Sequence, residues 1–178
     1  MNDVKNFGLY DSTFEKSSCG VGFLTRKDGK QTHELLIKGH EALCAVPHRG
    51  GMSAEGVGDG AGVSIDLSVT FFSRVVGASL VPGEFGVGNF FLPNDQSQHV
   101  RAKKLIDDAL RAEGMITLGT RSVDVDNSVL RPAAIKYQLS IAQWVFAAPK
   151  GIRGAALEKS IHKALLSIES EAYVDENL

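Results

Sequence analysis

The stretch from His48 to Gly62, HRGGMSAEGVGDGAG, places six glycines in fifteen residues and does most to limit what this chain can fold into. Each glycine inside a helix costs up to about 1 kcal/mol relative to alanine, so the stretch reads as a structured loop and not as a regular helix. The Gly-x-Gly run from Gly56 to Gly62 invites comparison with a phosphate cradle. It lacks the G-x-G-x-x-G spacing, the strand-to-helix setting and the lysine of a P-loop. A tight backbone crossing is the better expectation, with Asp59 bonding to neighbouring amides.

Regular elements are predicted on both sides of this loop. CGVGFLT, from Cys19 to Thr25, alternates small and large residues like a strand, and KDGK after it signals a turn at Gly29. Thr32 can cap a helix carrying Leu35, Leu36, Gly39, Leu43 and Val46 on one side, with Pro47 as its stop. After the loop, VSIDLSV reads as a strand over 63–69, and FGVGNFFL as another over 85–92, closed by a turn at Pro93, Asn94 and Asp95. Ala102, Leu105, Ile106, Ala109 and Leu110 recur at helical spacing, and Gly114 is placed to end that helix. MITLGTRSVDV and KYQLSIAQWVFAA read as strands. A last helix from about Gly154 to near Tyr173 aligns Leu157, Ile161, Leu165 and Ile168. Helices following strands at this spacing predict a layered α/β or α+β domain.

The composition excludes several classes. With 43% apolar residues and nine phenylalanines among 178 residues, the chain can bury a sizeable core and is not a disordered segment. Nineteen basic against 21 acidic residues leave no positive surplus for phosphates, so no nucleic-acid partner is expected. Two cysteines, Cys19 and Cys44, make no disulfide framework and point to a reducing compartment. The first eighteen residues lack the cationic start and apolar stretch of a secretory signal, and no run is long enough to span a bilayer. A cytoplasmic protein without membrane association is expected.

Among candidate chemistry, Cys44 sits beside Leu43 and is expected to be a small buried hydrophobe. His40, Cys44 and His48 are spaced by four as metal ligands on one helix would be, but Pro47 interrupts the series and no fourth ligand is near, so no metal is expected. His33, His99 and His162 lie among polar residues and are expected to face solvent. Cys19 is different, because Gly20 and Gly22 leave its surroundings bare and Ser17-Ser18 before it would suit cleavage. Freed as a first residue, it would carry both a thiol and an α-amino base, whose ordinary pKa is about 7.7–8.0. A structural cysteine in a strand is the other reading of the same residues.

Leu9-Tyr10-Asp11, Phe14-Glu15 and Ser18-Cys19-Gly20-Val21-Gly22-Phe23 resemble the start of the glutamate synthase large (alpha) subunit family, with its short propeptide. His48-Arg49-Gly50 and Gly58-Asp59-Gly60-Ala61-Gly62 resemble that family's HRG and GDGAG elements. Gly86-Val87-Gly88 with Phe91-Leu92-Pro93, the helix from Arg101 to Glu113, Leu118-Gly119 before Arg121, and Val125 to Leu130 continue the likeness over nearly the whole chain. The resemblance implies a class II glutamine amidotransferase, an α+β N-terminal-nucleophile hydrolase whose four-layer αββα sandwich is incomplete in this chain. Residues 1–18 would be the propeptide and 19–178 the N-terminal part of the amidotransferase domain.

By the same resemblance Cys19 is the nucleophile, and Arg49 and Gly50 line its pocket; an ion-pair role for Arg49 and a turn role for Gly50 stay open. The implied substrate is L-glutamine, hydrolysed to glutamate and to ammonia for reductive amination of 2-oxoglutarate. FMN and an iron–sulfur cluster are implied for the full-length enzyme and no cofactor for this chain. The family's Asn-Gly oxyanion element and its later substrate-binding acidic residue are absent before Leu178, and Gly51 stands where the family more often has Ala. The expectation is therefore a fragment of weak or no activity alone, with the rest of the large subunit or a complementary chain as partner. The alternatives are a non-catalytic or split module and another N-terminal-nucleophile amidohydrolase.

Overall fold

The computed structural model describes residues 21–45 and 60–175. The chain divides into two compact units, Met1–Asp66 with Arg131–Ala134, and Leu67–Leu130 with Ile135–Leu178.

In the first unit the expected turn forms at Gly29, whose φ of 65° lies in the left-handed region. Arg26 grips Asp28 through two bonds of 2.9 and 2.7 Å just before it, and that pairing holds the Asp28 carboxyl below its ordinary range. Helix α1 (His33–Cys44) starts where Thr32 accepts the Leu35 amide through its side chain. Glu34 and Lys38 pair along its surface at 2.7 Å. Leu35, Gly39 and Leu43 are half-buried, Leu36 is exposed, and none of the helix is fully buried. The strand expected from Cys19 to Thr25 does not appear over its described part. Residues 21–25 have no regular structure, and Val21 and Phe23 are 97% and 89% exposed, so small–large alternation here found no neighbouring strand among the described residues.

Another expectation is corrected at the start of the second unit. In place of a strand over 63–69 the backbone stays irregular until helix α2 (Val69–Val76). Its signals are Ser68, whose Oγ accepts the Phe71 amide at 3.3 Å, and Gly77, which ends the helix at φ 69°. These caps and the burial of Phe72 outweigh the β-propensity of the local sequence. The strand over 85–92 appears as expected, β1 (Phe85–Leu92). Helix α3 (Gln96–Ala112) begins where Asp95 accepts the Ser97 and Gln98 amides, five residues before the expected Arg101. Strand β2 (Ile116–Ser122) follows, and a short helix α4 (Pro132–Ile135) lies on the way to β3 (Ser140–Ala147). Helix α5 (Ala155–Val174) closes the described chain.

The sheet has the order β1-β3-β2, with both outer strands antiparallel to β3. Hence β1 and β2 run parallel to each other, joined by α3 with β3 inserted between them, the split βαβ arrangement. Strand alternation then divides the core. Ala142, Trp144 and Phe146 join Leu92 to residues of α3 and α5 on one face, while Val145 meets Phe72, Leu80 and Phe85 on the other. Of the expected α5 face, Leu157 is buried and Ile161 and Ile168 pack on the core, but Leu165 is 43% exposed and Ala164 takes the buried place. Gly86 is required where it stands: a Cβ there would lie 2.5 Å from the ring of Phe146 on the next strand.

Candidate functional site

Cys19, Arg49 and Gly50 lie outside the described residues, as do His48, Asp59, Gly51 and the propeptide region 1–18. Of the GDGAG element, Gly60 to Gly62 are described; they are exposed and irregular, and Gly60 has φ 82°, a conformation that side chains rarely adopt.

Cys44 departs from expectation. It is exposed, and its Sγ stands 3.7 Å from His40 Nε2, one turn back on α1. Helical periodicity placed it beside Leu43, yet even Leu43 is only half-buried, so no apolar wall covers the thiol. Among the described residues no group of three or more His, Cys, Asp or Glu side chains is placed to hold a metal ion. His33 and His162 are exposed, whereas His99 is half-buried with Nδ1 3.0 Å from the Pro93 carbonyl oxygen.

Two polar arrangements in the second unit were not visible in the sequence. On the α2 face Arg121 Nε donates to Gln143 Oε1 at 2.6 Å, Gln143 Nε2 donates to Asn89 Oδ1 at 2.8 Å, and the Arg121 guanidinium sits 5.1 Å from the centre of the Phe71 ring. These three residues are direct partners in the strand register, which single-strand periodicity cannot supply. On the opposite face Asp107 Oδ1 accepts both the Trp144 indole N–H at 3.0 Å and the Thr117 hydroxyl at 2.8 Å. An open depression of about 480 Å³ beside α2 is lined by Ser73, Arg74 and Gly77 among others, and holds no thiol, carboxylate or imidazole.

The family of class II glutamine amidotransferases matches residues 19–177 of this sequence. The chain belongs to that family. Its relatives include the NADH glutamate synthase of Saccharomyces cerevisiae, 32% identical over 145 residues, covering 76% of this chain and 7% of the yeast protein. The ferredoxin-dependent glutamate synthase 2 of a Synechocystis strain is 33% identical over 155 residues, 84% of this chain and 10% of that one. The ferredoxin-dependent glutamate synthase of Cyanidium caldarium is 32% identical over 165 residues, 90% and 11%. This amidotransferase chain thus spans about a tenth of the length of the curated relatives it matches. Its mixed helix and sheet content, with a small antiparallel sheet, agrees with the α+β class expected for it. No helix among the described residues is long and apolar enough to cross a membrane.

Proposed function

We propose that this chain is the glutamine-hydrolysing part of a glutamate synthase-type enzyme, an N-terminal-nucleophile amidohydrolase that matures by loss of residues 1–18. The observation that carries the reading is that the family match opens at Cys19, the residue that cleavage after Ser18 would make the first. In this reading residues 19–178 contribute to a four-layer αββα sandwich completed by further chain, and Arg49 and Gly50 line the pocket of the nucleophile. L-glutamine is the substrate, and the remainder of the large subunit is the partner that uses the ammonia.

The chemistry needs little beyond Cys19 itself. Its α-amino group takes the thiol proton, and the thiolate sulfur forms a bond to the side-chain amide carbon of glutamine. The resulting oxyanion is held by donors. On collapse the C–N bond breaks, the ammonium proton passes to the leaving nitrogen, and ammonia departs from a γ-glutamyl thioester. Water then gives its proton to the same amine and attacks the thioester, and the returning proton restores the thiol as glutamate leaves. The Asn-Gly donors of the family are not found in this sequence, and loss of one such donor costs roughly 100- to 1000-fold in rate, so this chain alone is a weak glutaminase or an inactive one.

The residues present do not fit the iron–sulfur cluster of the full enzyme. Such clusters take cysteine thiolates, commonly four, and this chain has two cysteines, one of them the nucleophile in this reading. The cluster, and the FMN that works with it, belong in this proposal to other parts of the enzyme.

The test is an intact mass of the expressed protein after incubation with a diazo-ketone analogue of glutamine, taken for wild type and for Cys44→Ser. A chain starting at Cys19 with one adduct in both proteins is the expected result. An unprocessed chain with no adduct in the full-length enzyme refutes the proposal.

A further inference from the structure

We infer that the outer edge of β1 is the docking site for an antiparallel strand that follows α5 in the same polypeptide. This inference rests on the reading above, that the chain is part of a longer enzyme.

Direction comes first. The connection from β1 to β2 runs through α3 and passes over β3. Helix α5 leaves β3 and packs on the same face as α3, since Leu157 and Ala164 share a core with Ala102, Ile106 and Trp144. Crossover connections in one sheet keep one hand in about 98% of cases. Because β3 runs opposite to β1, a crossover of the same hand over the same face steps across the sheet in the opposite direction. The step through α3 goes toward the β2 side, so the step through α5 goes toward the β1 side. A strand reached that way runs parallel to β3, passes β1 and lies antiparallel against the edge with which no described strand pairs.

The chemistry of the two edges agrees. The outer strand β2 carries Arg121 and a bulge between Thr117 and Gly119, both devices that discourage pairing. Strand β1, FGVGNFFL, has no charged residue and a regular register along its whole length. The Ala148 amide donates to the Glu84 carbonyl at 2.8 Å, which makes that pair hydrogen-bonded in the register of β1 with β3. Alternation then turns the N–H and C=O groups of Gly86, Gly88 and Phe90 toward β3, and those of Val87, Asn89 and Phe91 to the outer edge, where no described strand pairs. These outward groups form the ladder that the new strand completes.

The experiment is residue-resolved amide exchange on the full-length enzyme. The amides of Val87, Asn89 and Phe91 are expected to exchange within about tenfold of those of Gly86, Gly88 and Phe90. The first extended segment after α5 is expected to be protected with them, and dilution over about a hundredfold range should leave both unchanged. Val87→Pro removes one outward N–H without touching the β3 ladder, and should expose that segment. Outward amides exchanging more than about tenfold faster overturn the inference, as does protection that disappears on dilution, which would mean a second copy. A Val87→Pro enzyme that keeps the segment after α5 protected overturns it as well; if that variant does not fold, the wild-type exchange pattern decides alone. The labelling of Cys19 is read separately, so failure of the glutaminase reading is told apart from failure of this one.

Discussion

Replacing Asp107 by Leu removes the single oxygen on which two strands and a helix converge. Its Oδ1 accepts from the indole of Trp144, which is 1% exposed, and from the hydroxyl of half-buried Thr117. In the Leu variant the indole N–H has no route to water and carries the full penalty of a buried unpaired donor, about 1–3 kcal/mol. The Thr117 hydroxyl can turn toward solvent and adds about 1 kcal/mol or less. A loss of about 1–4 kcal/mol is expected from the two together. Asp107→Asn keeps a carbonyl oxygen in place for both donors, forfeits only the charge assistance, and should cost about 1 kcal/mol. Urea unfolding followed by fluorescence measures both, because Trp144 is the only tryptophan in the chain and reports directly on this contact. An Asp107→Leu protein within about 0.5 kcal/mol of wild type refutes the reasoning. So does an Asn variant as damaged as the Leu one, because the cost would then lie in charge or packing and not in the unpaired indole.

Three further outcomes are expected. Gly86→Ala puts a methyl 2.5 Å from the buried Phe146 ring, so the urea midpoint should fall by the equivalent of about 1–3 kcal/mol, and an unchanged midpoint would mean the ring has free room. The Asp95 carboxyl is held below its ordinary value by the Ser97 hydroxyl and the Gln98 and Ser97 amides at the start of α3. Its contribution is therefore present above the unfolded pKa of about 3.9 and lost as pH falls through the lower folded value. Asp95→Asn, which can still cap, should flatten that part of the acid side of a stability–pH curve, and a curve parallel to wild type would contradict the pairing. Finally, the exposed Cys44 thiol should react with a charged maleimide in the native protein within about tenfold of its rate in urea, whereas strong native protection would mean that the thiol is covered.

What the sequence disclosed depended on how a signal is encoded. Strand β1 was legible to the residue because apolar alternation ends at Pro93 and Asp95, a turn and a cap in immediate succession. Gly29 and Gly114 were legible because a positive φ is a demand that few other residues meet, and both have it, at 65° and 75°. Helix α2 was not, since VSIDLSV over 63–69 reads as strand by propensity, and only the pairing of Ser68 with Gly77 marks its two ends. Cys44 was misplaced for a related reason: periodicity fixes the side of a helix on which a residue sits, not whether anything packs there.

The same distinction governs the site. All fifteen buried apolar residues among those described fall between Phe72 and Ala164. The residues proposed to carry the chemistry, Cys19, Arg49 and Gly50, together with the GDGAG element, precede Leu67, where the second unit begins. A core announces itself through period, because burial selects one face of a strand or helix over and over. A nucleophile announces itself only through local identity, because one thiol with glycines beside it has no period to detect. The proposal for Cys19 rests on CGVGF and its spacing to HRG, whereas no motif points to the row Asn89, Gln143 and Arg121, although its hydrogen bonds are short and direct. That row exists only once β1, β3 and β2 are in register, and its members are 54 and 22 residues apart along the chain. Polar groups joined across strands are therefore where a sequence reading of this family should be expected to fall short, and where substitutions such as Gln143→Leu will have effects that no motif foretells.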